Sequence, residues 1–292
     1  MQKTANNPTM ISSIDVAKIL GVNVATVKRW TDSGKLDCVK TAGGHRKFLL
    51  RHLAAFAMEH EKYSQRLSLL PLDNQSDLEL SQQILQADFH ALVPYVLERA
   101  IKCDQAAVKT ILNSLYMVNH DLAIVYDNLL APVLHQIGTL WENGKLSVSE
   151  EHLASQTIRD GIIQLQDIVV KPESNHEKAY VLTLSDELHD IPAKMVQHIL
   201  EARGFQVLFS GQKTPVGETT EVFKSYHPNR VYLSSVYVEK VEEAKSEFQE
   251  LRKLCKHYDA ALYVGGNGYF LLVDEDSDDI TQLKSFKEVQ DA

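Results

Sequence analysis

Between Ala179 and Gly266 short apolar stretches alternate with amphipathic ones, and no other feature of this 292-residue chain restricts the fold as strongly. The order is AYVLTLS, AKMVQHILEARG, FQVLFS, a helical stretch through Val222, RVYLSSV, a helical stretch from Glu239 to His257, and ALYVGG. Strands separated by helix-length segments predict a parallel sheet, because a parallel neighbour is reached only through a crossover. Such sheets bind ligands beyond the carboxyl ends of their strands. The loops after Ser185, Ser210, Ser234 and Val264 are therefore expected to share one surface, with the acidic tail after Val273 peripheral.

Residues 78–170 have a different texture. Apolar residues recur at spacings of three and four in LVPYVLERAI, VKTILNSLYMV, YDNLLAPVLHQI and HLASQTIRDGIIQLQDIV. This predicts a bundle of about four long helices, with Pro94 and Pro132 near helix starts or kinks. Pro71, Asp73, Asn74 and Ser76 give residues 62–77 the composition of a linker. The expected division is a head over 1–61, the linker, a helical body over 78–172 and an α/β domain over 173–292.

The head reads as two short helices and a hairpin. SSIDVAKILGV offers Ser12 or Ser13 as a cap and Gly21 as a stop; NVATVKRWTDSGKL follows with Asn23 as cap, Val24 and Val27 inward, and Gly34 as the break. That is a helix-turn-helix, whose second helix enters the major groove and would present Thr26, Lys28 and Arg29 to DNA. Gly43-Gly44 suits the positive φ of a tight turn between two β-capable stretches, so a wing is expected to carry Lys40, Gly44, His45, Arg46 and Lys47. Trp30 is expected in the core, and RHLAAFAMEH reads as a closing helix. Charge agrees with this assignment. The chain is −9 overall, yet residues 1–56 hold nine Lys/Arg against three Asp (+6), leaving 21 basic against 36 acidic (−15) elsewhere. Only the head has an electrostatic reason to approach phosphate.

The first strand of the α/β domain runs into Ser185-Asp186-Glu187-Leu188-His189-Asp190. A neutral imidazole is a good transition-metal ligand, and a carboxylate bonded to its other nitrogen raises its basicity; Glu187 or Asp186 could serve. Cys38, Cys103 and Cys255 are far apart without a CxxC pair and read as buried reduced thiols. No Ser/His/Asp, phosphate-loop or zinc-protease pattern occurs, so the chain is not read as an enzyme. The start MQKTANNPTM lacks the apolar core of a secretory signal and no apolar run reaches the roughly 18 residues of a membrane span, so a cytoplasmic protein without membrane partners is expected.

Several of these stretches resemble known families. VAKILGVNVATVKRWTDSGKL followed by TAGGHRKF resembles the head of MerR-type regulators, in which the second helix and the GGHR segment touch DNA. Glu187-x-His189 resembles the E/DxHxxG motif of cobalamin-binding domains, where the His becomes the lower cobalt ligand; Pro192 stands in place of the Gly. Ser234 or Ser235, and Gly265-Gly266, match the positions that line the cofactor's nucleotide tail. Trp141, nine residues, then Glu151-His152 resembles photoreceptor regulators of the CarH and LitR type, whose bundle covers the upper face of adenosylcobalamin. The resemblance implies a winged helix-turn-helix head, a four-helix bundle and a flavodoxin-like (Rossmann-type) α/β domain. It also implies adenosylcobalamin as cofactor, double-stranded operator DNA as partner, a homo-oligomer (dimer or tetramer) and light-released repression. Those relatives carry a His after the bundle Trp, where this chain has Glu142. A corrinoid methyl-transfer protein, and a regulator that senses another tetrapyrrole or none, are the alternatives.

Overall fold

The computed structural model describes residues 10–60, 63, 75–273 and 278–292. They fall into two units divided between Val170 and Lys171.

In the head, a short strand β1 (Ile11–Ser12) leads into α1 (Ser13–Ile19) and α2 (Val24–Asp32). Ser12 caps α1 in a reciprocal box with Asp15, and Asn23 Oδ1 accepts from Thr26 N at 2.8 Å to cap α2. Each cap satisfies an otherwise orphaned amide and contributes about 1 kcal/mol. The hairpin follows as β2 (Val39–Lys40) and β3 (Arg46–Phe48), turning through Gly44 at φ +76°. A third strand was not expected: β1 pairs antiparallel with β3, giving the order β1-β3-β2. The closing helix α3 (Leu50–Glu59) completes a core of Val16, Leu20, Val27, Trp30, Phe48, Leu53 and Phe56. Trp30 lies within this core, its ring centroid 4.7 Å from that of Phe56.

The linker expected over 62–77 lies largely outside the described residues, and Gln75 already opens a helix. The body comprises α4 (Gln75–Leu85), α5 (Phe89–Ile101), α6 (Gln105–Asn119), α7 (Leu122–Val125), a π turn (Tyr126–Leu130), α8 (Ala131–Glu142) and α9 (Val148–Leu165). Because α7, the π turn and α8 form one continuous run, the described residues hold five helical runs where the periodicity suggested about four. Pro94 is interior to α5, past the first turn. Its missing amide leaves the His90 carbonyl without that helical partner. Pro132 is the second residue of α8, which continues directly from the π turn. The thiols also differ from expectation: Cys255 is buried, Cys38 is half-buried and Cys103 is exposed.

The second unit contains β4 (Lys178–Leu182), α10 (Ile191–Ala202), β5 (Gln206–Phe209), α11 (Thr220–Tyr226), β6 (Arg230–Ser234), α12 (Val241–His257) and β7 (Ala261–Gly265). A fifth strand β8 (Ile280–Leu283) and a last helix α13 (Phe286–Asp291) follow. The acidic tail is thus partly structural. β8 pairs with β7, Leu283 and Val289 are buried, and Arg203 Nη1 donates to the Val289 carbonyl at 3.2 Å. All five strands are parallel in the order β5-β4-β6-β7-β8. This is a Rossmann-like α/β sheet whose strand order reverses between β4 and β6. One face buries Tyr180, Leu182, Val231, Leu233, Leu262 and Val264 against Phe223, Phe248 and Leu251, while α10 covers β4, β5 and β6 from the other.

Candidate functional site

At the point of strand reversal, the loops after β4 and β6 are joined by one side chain. Glu187 is 3% exposed. Its Oε1 accepts from His189 N at 2.8 Å and lies 2.6 Å from His189 Nδ1. Its Oε2 accepts from Val236 N at 2.6 Å and Tyr237 N at 2.9 Å, and its carbonyl accepts from Lys213 N at 3.1 Å in the loop after β5. Burial pushes the Glu187 carboxyl up, but the bonds from His189, Tyr237 and Val236 outweigh it and hold the group below the ordinary glutamate value. An ionised Glu187 places the proton of the neutral imidazole on Nδ1 and the lone pair on Nε2. The ring is 55% exposed, at the strand ends, with Tyr237 at 6.4 Å between centroids. A carboxylate bonded to one ring nitrogen in this way orients a metal-binding imidazole and raises the basicity of the other nitrogen. Of the two carboxylates the sequence offered, Glu187 is the one that orients His189. Asp186 Oδ2 is buried without a hydrogen-bond partner.

Pro192 occupies the second position of α10. A proline there fits the helix start, since a first-turn amide has no intrahelical acceptor. Ser234 ends β6, buried, with Oγ lacking any hydrogen-bond partner. Ser235 N donates to Gly265 O at 2.9 Å, and Gly268 N returns to Ser235 O at 2.9 Å. Gly266 has φ +97°, and a Cβ there would sit 2.2 Å from Ser235 O. The glycine is therefore demanded first by the close approach of the two loops. Leu188, Tyr237, Phe270 and Leu271 are exposed large apolar residues in the segments that follow β4, β6 and β7. The oriented imidazole, the unpaired hydroxyl and these apolar residues fit a corrinoid, a largely apolar disc with a metal centre and a polar tail.

In the first unit, Trp141 is at the end of α8 and 46% exposed. After a short turn, Ser147 caps α9 with Glu150, and Glu151 and His152 follow in its opening turns. Glu151 Oε1 accepts from Ser155 Oγ at 2.7 Å, while His152 Nε2 is 3.6 Å from Glu151 Oε2. Val148 and Leu153 are exposed beside them in sequence. Glu142 ends α8 directly after Trp141.

In the head, Lys28, Arg29, Lys40, Gly44 and His45 are exposed, and Lys47 is half-buried. Thr26 is partly committed, its Oγ1 donating to the Asn23 cap at 3.0 Å. Arg46 is ion-paired with Asp32 at the end of α2. Residues that sequence reasoning missed are Val236, Tyr237 and Lys213, which act through backbone amides, together with Asp32 and Gly268. Among the described residues no helix is long and apolar enough to cross a membrane, and no group of three His/Cys/Asp/Glu is placed to hold a metal ion.

Comparison with known proteins bears on both units. The helix-turn-helix domain family matches residues 10–61, and the B12 binding domain family matches residues 96–166, within the helical body. The HTH-type transcriptional repressor CarH of Myxococcus xanthus is 25% identical over 249 residues, covering 81% of this chain and 82% of that protein. Dimethylamine corrinoid protein 1 of Methanosarcina mazei is 24% identical over 177 residues, 60% of this chain and 82% of its own. The solved monomethylamine corrinoid protein of Methanosarcina barkeri superposes with a TM-score of 0.54 at 15% identity, over 68% of this chain and 94% of that one, a likeness of fold. These findings give the chain a combination of two domains, a helix-turn-helix domain and a B12 binding domain. In this combination the chain resembles the CarH-type repressors.

Proposed function

We propose that the chain is a light- and cobalamin-responsive transcriptional repressor that binds adenosylcobalamin and double-stranded operator DNA as a homo-oligomer. The observation that carries the cofactor half is the His189–Glu187 pair at the strand ends, locked to the β6 loop by the second carboxylate oxygen. His189 Nε2 would hold the cobalt, and Ser234, Ser235, Gly265 and Gly266 would line the nucleotide tail. Trp141, Glu151 and His152, which the likeness to CarH-type regulators marks, would also serve in cofactor binding. Bound adenosylcobalamin would supply a cobalt–carbon bond that visible light breaks. The α2 helix, through Thr26, Lys28 and Arg29, would read the major groove, and the β2–β3 hairpin would act as a wing. One head buries only roughly 600–1,000 Å² on DNA, so assembly of several copies supplies the avidity that makes oligomer state a control point. An operator-DNA partner would put the protein in the cytoplasm; among the described residues no helix is long and apolar enough to cross a membrane.

The test is size-exclusion chromatography with light scattering, in darkness and after green light, together with mobility shift on a duplex from upstream of the protein's own coding sequence. Adenosylcobalamin in darkness is expected to give a larger, DNA-binding species, and light to reverse both. A species of unchanged size and affinity in all conditions would overturn the light-switch reading. In the same preparation, His189→Ala is expected to change the visible spectrum of bound cobalamin to that of a cobalt without protein imidazole. An unchanged spectrum would place the lower ligand elsewhere.

The likeness to corrinoid proteins favours a second reading, carriage of a corrinoid for methyl transfer. Failure to bind any duplex, with cobalamin bound normally, would favour it.

A further inference from the structure

We infer that Arg46 is a positioning residue that ties the β2–β3 hairpin to the DNA-reading helix through Asp32, and that the hairpin's phosphate contacts fall to His45 and Lys47. The inference rests on the DNA-binding reading and refines which residues perform it. Side chains alternate along a strand, so residues 46 and 48 of β3 share a face and residue 47 takes the other. Phe48 is fully buried in the head core, so the face it shares with Arg46 is the inward one. Arg46 conforms to this: its side chain is 21% exposed, its Nε is buried without a hydrogen-bond partner, and its Nη2 donates to Asp32 Oδ1. A guanidinium turned inward and held by a carboxylate is poorly placed for phosphate.

Asp32 supports the same conclusion from the other side. It is the last residue of α2, where the helix macrodipole disfavours a carboxylate, and it belongs to a segment whose other charges are mostly basic. Near DNA it would also repel phosphate. Fixing Arg46, and with it the angle between α2 and the hairpin, is the compensation that its contacts show. Lys28 and Arg29 are on that same helix, so a tilt of the hairpin against α2 would misalign two sets of DNA contacts at once.

Binding of the full chain to a fluorescein-labelled duplex of mixed sequence, measured by anisotropy across a potassium chloride series, separates a brace from a contact. Each phosphate contact adds about 0.9 to the slope of log K against log salt. Arg46→Gln is expected to weaken binding several-fold at every salt concentration with the slope unchanged, whereas Lys47→Gln lowers the slope by about 0.9. Arg46→Asp combined with Asp32→Arg restores the pair in reverse. It is expected to recover most of the affinity lost in Arg46→Asp alone, which keeps the test decisive should a single variant fold poorly. A slope lowered by about 0.9 in Arg46→Gln, or a reversed pair as weak as Arg46→Asp, would overturn the inference. Wild-type protein that binds no duplex would instead remove the DNA reading beneath it.

Discussion

Glu187→Ala is expected to weaken cobalamin binding by roughly 10–100-fold, the usual cost of removing a partner that orients a metal-binding imidazole. The same substitution is expected to lower folding stability by about 2–4 kcal/mol, because it strands amides that the carboxylate now satisfies. Both effects follow from one geometry: Oε1 serves the ring and main chain of His189, and Oε2 serves Val236 and Tyr237. Alanine frees the imidazole to choose its tautomer and rotamer, and it unfastens the β6 loop from the β4 loop. Titration of the variant with adenosylcobalamin, followed in the visible, reads the first effect; urea denaturation without cofactor reads the second. Glu187→Gln separates them further. Its amide keeps one acceptor for His189 while turning a donor toward the amides of Val236 and Tyr237, so binding is expected to suffer less than in Glu187→Ala and stability nearly as much. Affinity and unfolding midpoint both equal to wild type in Glu187→Ala would remove the staple from the account.

Much of this site could be read before any coordinates, for definite physical reasons. Alternation of apolar strands and amphipathic helices fixes which strand ends share a surface, so His189, Ser234 and Gly265 could be grouped from the sequence. Caps and turn glycines carry local signatures, and Asn23 and Gly44 do what their types predict. Other features carry none. Val236 and Tyr237 contribute backbone amides, which every residue but proline has. The strand ITQL is short, follows an acidic stretch and buries only Leu283, so its pattern is too weak to distinguish an edge strand from a tail. Pro94 shows tertiary packing overriding a local rule: the flanking Leu92, Val93 and Val96 are buried, and their burial holds the helix through the break. Arg46 is expected at DNA from its charge and its place in the wing; its ion pair with Asp32, 14 residues earlier, has no local signature in the sequence.

Gly266→Ala is expected to be the most destabilising single-methyl change at this site, by about 3–5 kcal/mol, with failure to accumulate folded protein at the upper end. Two independent costs coincide. At φ +97° an L side chain is strained wherever it points, and the added Cβ would lie 2.2 Å from Ser235 O and 2.7 Å from Ser235 C. That carbonyl is not a flexible side-chain end that could swing aside. It accepts from Gly268 N, and the Ser235 amide is bonded to Gly265 O, so backbone bonds hold it from both directions. Relief would require parting the loops after β6 and β7, the first of which also carries the amides that Glu187 holds. Gly265→Ala is the control: its Cβ would meet Leu283 O at 3.1 Å, a tight contact that a small shift of the neighbouring strand can accommodate. Denaturation midpoints in the order wild type, Gly265→Ala, Gly266→Ala are expected. Equal stability of the two alanine variants would mean that the β6 loop yields easily, and the rigidity of the platform that presents His189 would then have to come from Glu187 alone.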